Sequence, residues 1–238
     1  MAIRRYFAMT AAEIRGNPLL PPGTAWMACH FSPYGTGLSN LPRDLPPGAL
    51  LTLNDRTPIH GHDPDRIAGQ LAEAVTSLDC WGVLLDFQRP GVEETAALAG
   101  HLAQALPCPV AVSDLYAREL NCPVFLSPVP ADMALGDYLA PWQGREVWLD
   151  LALEGEVITL TEEGAAAAPL LPGTVLEGGQ QEETLHCHYQ IALSDSDAKF
   201  SLWRTAEDLE RLLAEAEELG VTTAVGLYQE LHGHLIPR

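Results

Sequence analysis

Apolar runs of strand length recur along most of the chain, separated by polar and proline- or glycine-containing segments. Several runs are continuous rather than alternating, which is typical of strands that are buried on both faces, as in parallel sheets covered by helices. This pattern predicts a closed or doubly wound α/β layer. The runs that predict strands are Trp26–Phe31, Leu50–Leu53, Val83–Phe87, Val110–Ser113, Val124–Leu126, Val147–Leu153, Tyr189–Leu193 and Ala224–Tyr228.

Three of the segments between these runs carry helix signals. Asp63 precedes a proline at a first helical position, and the apolar spacing that follows predicts a helix over 64–78. A second helix is predicted from Val92 to Leu106, where two nearby prolines end it. The third runs from Thr205 to Leu219 and begins with a capping-box pair. Alternation of helices with buried strands favours a parallel sheet.

Two stretches interrupt this alternation. Residues 1–48 are rich in proline and show no convincing amphipathic helix, so we expect the first βα units to be irregular. Residues 154–185 read as a β-hairpin and polar loop inserted after the sixth predicted strand. With 238 residues available, the sequence predicts one TIM-type (β/α)8 barrel domain over 1–238, with an inserted hairpin.

Charge and composition narrow the range of partners. The chain has 13 Lys plus Arg against 32 Asp plus Glu, a formal net charge of −19, which repels phosphate backbones and anionic lipid surfaces. No apolar run is long enough to span a bilayer, and the N-terminal segment lacks the apolar stretch of a secretory signal. We therefore expect a cytoplasmic protein with no nucleic-acid or membrane partner. The oligomeric state stays open.

The most informative segment is Trp81–Pro90, where polar side chains follow a buried strand abruptly. Active sites of α/β barrels lie at the carboxyl ends of the strands. Asp86 and Gln88 are two residues apart, so on an extended strand both side chains project to the same side. This spacing predicts that both residues face the barrel mouth.

The stretch Gly82–Gln88 resembles the end of the acidic motif of family 18 glycoside hydrolases, which closes with Asp-x-Glu at the end of the fourth barrel strand. The segment from Phe200 to Glu230 is similar to the last helix and last strand of that family, so the resemblance extends from about residue 50 to the C-terminus. It implies a (β/α)8 barrel acting on glycans that contain N-acetylglucosamine. It also implies that Asp86 orients the acetamido group of the substrate.

Gln88 stands where the family has its proton-donating glutamate. A carboxamide can hydrogen-bond to a sugar but delivers no proton at neutral pH, so general-acid assistance worth roughly 10² to 10⁴-fold would be absent. The tryptophan that the family carries on its last strand is also missing, and Tyr228 is nearest to its position. The sequence thus predicts carbohydrate binding with weak or absent hydrolysis, with Asp86 and Gln88 as the degenerate catalytic pair.

Other side chains at predicted strand ends complete the expected site. Together they would line a mouth suited to a hydroxyl-rich small molecule or oligosaccharide, and Tyr34, Tyr116 and Trp142 are candidate platforms for sugar rings. The predicted substrate-binding residues are Asp55, Asp114, Tyr116, Asp150, Tyr228 and Glu230. An alternative hypothesis is an active glycosidase in which Asp114, Asp150 or Glu230 supplies the missing acid.

Histidine pairs raise a third hypothesis, a metal-dependent barrel hydrolase. His60 and His62, and likewise His186 and His188, are spaced so that both rings of a pair share one side of an extended strand. The first pair lies in a proline- and glycine-containing loop before a helix, and the second has no carboxylate at the spacing of a closed metal site, so surface or loop roles are favoured. No dinucleotide, P-loop or serine-hydrolase motif is present, and no cofactor is expected.

Overall fold

Eight parallel strands form a closed barrel in the computed structural model, which describes residues 2–194 and 197–232. The first strand pairs with both the second and the last, so the sheet closes on itself and confirms the predicted TIM-type barrel. The barrel strands and a short antiparallel strand, β3, are β1 (Arg4–Met9), β2 (Thr24–Phe31), β3 (Leu38–Ser39), β4 (Leu50–Asn54), β5 (Gly82–Asp86), β6 (Val110–Ser113), β7 (Val124–Leu126), β8 (Val147–Leu151) and β14 (Thr223–Leu227).

The barrel begins earlier in the chain than the apolar pattern predicts. Strand β1 starts with two exposed arginines and only then becomes buried, so its apolar part is too short to stand out in the sequence. The expected irregularity of the N-terminal region lies in its connections instead. The link between β1 and β2 contains one short helix, and no helix separates β2 from β4.

The three helices with clear signals lie where they were predicted, with ends shifted by one residue. Thr205 and Asp208 form the capping box, with the threonine side chain accepting from the Asp208 N–H. Among the described residues, no helix is both long and apolar enough to cross a bilayer. The helices are α1 (Ala11–Gly16), α2 (Pro64–Ser77), α3 (Glu93–Ala105), α4 (Asp114–Ala117), α5 (Leu135–Leu139), α6 (Ala206–Glu218) and α7 (Tyr228–Leu231), and a 3-10 turn spans Ala140–Trp142.

The barrel has two cores, because alternate residues of each strand point to opposite sides of the sheet. One core lies between the strands and the surrounding helices. The other fills the lumen and consists of Tyr6, Ala8, Ala25, Leu50, Leu84, Ala111, Phe125, Trp148 and Val225. Trp81 stacks on Trp148, with ring centroids 5.0 Å apart, and on Tyr6 at 5.6 Å. This aromatic stack fills the lumen at the amino-terminal end of the strands.

A second sheet is inserted between β8 and α6. Its antiparallel strands, in spatial order β10-β9-β13-β12-β11, are β9 (Gly155–Thr161), β10 (Gly164–Pro169), β11 (Gln180–Glu182), β12 (Cys187–Leu193) and β13 (Asp197–Trp203). The predicted hairpin is β9 and β10. The insertion is larger than predicted. It follows the seventh barrel strand rather than the sixth, because the apolar pattern does not predict β1. The run Tyr189–Leu193, predicted as a barrel strand, belongs to β12 of the inserted sheet.

Buried Arg204 anchors this inserted sheet to the barrel. Its guanidinium donates hydrogen bonds to the carbonyls of Val129 and Pro130, which precede α5, and to those of Leu185 and His186, which precede β12. The side chain is 1% exposed. Because a planar guanidinium offers five donors in a fixed geometry, one residue joins two segments that no strand pairing connects.

We expect Arg204→Met to lower the free energy of unfolding by about 3 kcal/mol, because four carbonyls lose their charged donor inside the protein. Chemical denaturation followed by circular dichroism measures this change. Arg5→Met serves as the control, since Arg5 forms an exposed ion pair with Glu210 and its loss should cost less than about 1 kcal/mol. Equal effects of the two substitutions would show that Arg204 is not an anchor.

Candidate active site

The strand register aims two carboxylates at the carboxyl-terminal mouth of the lumen. Leu84 on β5 and Trp148 on β8 belong to the lumen core. Asp86 and Asp150 follow them by two residues on the same strands, so their side chains point to the same side. The predicted site residues Asp86 and Asp150 therefore both point into the lumen, Asp86 from the fourth barrel strand and Asp150 from the seventh.

Asp86 and Gln88 contact each other directly. The Gln88 side-chain amide donates a hydrogen bond to Oδ1 of Asp86 at 2.5 Å. Asp86 is partly buried, whereas Gln88 is exposed. A carboxamide offers both a donor and an acceptor, so with its nitrogen held by Asp86 its oxygen stays available to accept from a ligand. This pair can orient a polar ligand, but Gln88 itself has no proton to give at neutral pH.

Asp55 has a different role from the ligand-binding one predicted for it. Its carboxylate is buried and accepts from the backbone N–H of Gln88 at 3.0 Å and of Arg89 at 2.9 Å. The Arg89 side chain donates in turn to the Asp55 carbonyl at 2.9 Å. Both oxygens of Asp55 are thus engaged in holding the loop that follows β5. Asp55 fixes the position of Gln88 and does not face a ligand.

Burial is the main cause that raises the pKa values of the carboxyl groups at the mouth. Burial raises the pKa of Asp86, and the negative charge of Asp55 adds to this, while the hydrogen bond from Gln88 opposes it. Burial raises the pKa of Asp150 to about 8, with Asp86, Glu230 and Glu154 contributing repulsion. A carboxyl group with this pKa is protonated at neutral pH. The mouth therefore holds an ionisable pair in which Asp150 carries a proton.

Glu230 joins this group from the short helix α7. Its carboxylate accepts from the backbone N–H of Leu153, just after β8, and burial raises its pKa. Glu230 also lines an open cavity of about 760 Å³ between the barrel rim and the inserted sheet. Asp86, Gln88 and Asp150 do not line this cavity. Glu230 therefore lies between the cavity and the carboxylates of the lumen.

Tyr116 and Asp114 follow β6. The Tyr116 hydroxyl donates to the carbonyl of Arg89, and its ring packs edge-on against Phe87 with centroids 6.2 Å apart. It therefore holds the loop after β5, as Asp55 does. The negative charge of Asp114, at the start of α4, contributes to a raised pKa of Tyr138. Tyr138 is not among the site residues predicted from the sequence. Burial and the charges of Asp114, Asp150 and Glu154 raise the pKa of Tyr138 to about 12.

The three aromatic platforms proposed from the sequence do not come together. Tyr34 is 97% exposed in the loop after β2. Trp142 lies near Val147, the first residue of β8, and near Val221, which precedes β14. The Arg145 guanidinium packs over the Trp142 ring at 5.6 Å. The prediction that Trp142 lines the mouth is wrong, because the residue precedes its strand and so lies at the opposite end of the barrel. Tyr228 begins α7 and contacts the ring of His232 at 4.8 Å.

The histidine pairs bond to protein groups. His62 accepts through Nδ1 from the backbone N–H of His60 at 3.0 Å. His186 contacts Glu215 at 2.5 Å and His188 contacts Asp208 at 2.8 Å, which fastens the inserted sheet to α6. Across residues 2–194 and 197–232, no group of three or more histidine, cysteine or acidic side chains is placed to hold a metal ion. Within that part of the chain, the geometry gives the metal hypothesis no ligand set.

Sequence comparisons and structural comparisons give different results. No protein-family model matches the chain, and no curated protein matches it. Solved structures do match. The chain covers 55% of the spore cortex-lytic enzyme SleL of Bacillus megaterium, with 12% identity over 75% of this chain and a TM-score of 0.46.

Three similar structures match over nearly their whole length. A Glu-to-Gln mutant of the class V chitinase from Nicotiana tobaccum, in complex with NAG4, has a TM-score of 0.60 at 12% identity, over 95% of this chain and 93% of the other. A family 18 N-acetylglucosaminidase from Paenibacillus barengoltzii has 0.58 at 11% identity, and the chitinase-like agglutinin of Robinia pseudoacacia has 0.57 at 12%, each over 94% of both chains. At this identity the likeness concerns the fold. The chain has a barrel fold like that of family 18 glycoside hydrolases.

Proposed function

We propose that this protein binds an oligosaccharide at the carboxyl-terminal mouth of its barrel and hydrolyses it weakly or not at all. The observation that carries the proposal is the contact between Gln88 and Asp86. It puts a neutral amide beside the aspartate at the end of the fourth barrel strand, where the family resemblance implies a proton donor. Asp86 and Gln88 would act as binding residues, while Asp55 and Tyr116 hold their loop in place.

The similar structures support the binding part of this proposal. One of them is a Glu-to-Gln mutant of a class V chitinase in complex with NAG4, so a glutamine variant of such a barrel can retain its sugar ligand. Another is named a chitinase-like agglutinin. In this chain, the carboxylates of Asp86 and Glu230 would supply acceptors for sugar hydroxyls.

The second candidate function is an active glycosidase in which Asp150 donates the proton. The raised pKa of Asp150, about 8, favours this role, because a general acid must be protonated at the working pH. Asp150 also points to the same lumen as Asp86. In this reaction Asp150 would protonate the glycosidic oxygen while Asp86 remains the orienting carboxylate. Glu230 is a weaker candidate, because its carboxylate already accepts a hydrogen bond from the Leu153 N–H.

Binding is tested by calorimetry with a tetramer of N-acetylglucosamine. We expect Asp86→Ala to weaken binding by at least about tenfold, because the ligand loses a charged acceptor. Glu218→Gln, an exposed change on α6, is the control and should leave the affinity unchanged. If the wild-type protein shows no affinity for this or related oligosaccharides, the binding proposal is refuted.

Restoring the acid tests the reason for weak hydrolysis. We expect Gln88→Glu to raise the rate of chitooligosaccharide cleavage by roughly 10² to 10⁴-fold over the wild type, the usual contribution of a general acid. Product formation is followed by chromatography. Efficient cleavage by the wild type that Gln88→Ala abolishes would refute the view that the site is degenerate, whereas cleavage lost only in Asp150→Asn would favour the second candidate.

The proton on Asp150 predicts how stability depends on pH. Because its pKa is about 8 in the folded protein and near the ordinary aspartate value of about 4 when unfolded, the unfolded state releases this proton first. The unfolding free energy of the wild type should therefore fall as the pH rises from about 4 to about 8. Asp150→Asn should fall less over the same range in denaturation experiments. Parallel curves would contradict the assignment.

A further inference from the structure

The inserted sheet has two edges of different character. Strand β11 forms one edge with three residues, Gln180–Glu182, and one of them is charged. Strand β10 forms the other edge with six residues, Gly164–Pro169, and all six are exposed and uncharged. Natural sheets usually protect an exposed edge by keeping it short or by placing charged side chains on it. The edge at β11 is therefore protected, whereas the edge at β10 is open to a further strand.

The open edge of β10 offers free backbone hydrogen-bonding groups. Leu170 continues the ladder with β9, because its N–H donates to the carbonyl of Gly155 at 2.8 Å. Hydrogen-bonded residues alternate along an antiparallel pair, so Ala166 bonds to β9, whereas Ala165 and Ala167 turn their N–H and C=O groups to the outer edge. Within residues 2–194 and 197–232, these outward groups have no hydrogen-bond partner. They match what one more antiparallel strand requires.

The distribution of charge favours β10 of a second copy as that strand. Two chains that each carry a net charge of −19 approach most readily at a surface without charged side chains, and β10 is one. The nearest charges along the chain, Glu162 and Glu163, lie together in the turn before β10, while Leu170 and Leu171 follow it. An antiparallel arrangement places the glutamates of each copy beside the leucines of the other. A parallel arrangement would oppose glutamate to glutamate.

We propose that two copies of this protein associate through β10, which pairs with its counterpart about a two-fold axis at Ala166. Ala165 of each copy exchanges hydrogen bonds with Ala167 of the other, so the same residues serve both sides of the contact. The two five-stranded sheets then form one continuous sheet. Because the contact is smaller than in stable complexes, we expect a reversible dimer with a Kd on the order of 10 μM.

The two-fold axis sets the decisive test at Ala166. There the side chains of the two copies lie directly opposite each other, in a pair without hydrogen bonds, where cross-strand side chains are closest. Ala166→Glu and Ala166→Lys should each weaken self-association by about tenfold, because like charges face each other. A mixture of the two variants should form a heterodimer at least as tight as the wild-type dimer. Sedimentation equilibrium measures the mass against the 25.7 kDa of one chain.

Control variants separate the edge contact from general effects of charge. Gln181→Glu and Gln181→Lys introduce the same charges on β11, the opposite edge, and should leave self-association unchanged. Ala165→Pro is an independent test without a change of charge. It removes an outward N–H but no hydrogen bond to β9, so it should weaken the dimer while circular dichroism shows an intact fold.

Each outcome supports or overturns the assignment. A wild-type protein that stays monomeric up to about 500 μM, far above the expected Kd, would overturn it. So would a dimer that the Ala166 variants do not weaken, or one that the Gln181 variants weaken equally, because the contact would then lie elsewhere. If the mixed Ala166 variants do not associate, the antiparallel two-fold arrangement is wrong.

Discussion

Closure of the barrel is the constraint on which the rest of the structure depends. Because β1 pairs with both β14 and β2, every barrel strand has one row of side chains that points into a common lumen. The aromatic stack of Tyr6, Trp81 and Trp148 fills the amino-terminal part of that lumen. Asp86 and Asp150 lie beyond this stack, towards the other end of the barrel. Closure thus brings Asp86 and Asp150 together, although 64 residues separate them in the chain.

Bringing carboxylates together in a partly buried mouth has an electrostatic cost. Three features reduce this cost: the raised pKa of Asp150 favours its neutral form, the Gln88 amide donates a hydrogen bond to Asp86, and the Leu153 N–H donates one to Glu230. A glutamate at position 88 would add a further ionisable group beside Asp86. With glutamine at position 88 the mouth carries less negative charge than it would with an ionised glutamate, and Gln88 has no proton to give at neutral pH.

The inserted sheet lies beside the rim of the barrel and borders the open cavity there. It adds a wall to the barrel rim and contributes Glu156 to the cavity, while Arg204 and the contacts of His186 and His188 with α6 hold it in place. The barrel provides the aspartate and glutamine that resemble a family motif, and the insertion provides carboxylates that no motif suggests.

The sequence alone determined the features that depend on local periodicity. Most of the buried strands, the three helices with clear signals and the closeness of Asp86 to Gln88 follow from spacings of a few residues, so they could be predicted, and the motif led to the correct type of barrel. Strand β1 was missed because Arg4 and Arg5 shorten its apolar run. Only the tertiary structure decided which strand ends meet. It placed Trp142 at the far end of the barrel, engaged Asp55 with backbone N–H groups, and brought Glu154 and Tyr138 to the mouth, because such contacts depend on chain segments that lie far apart in sequence.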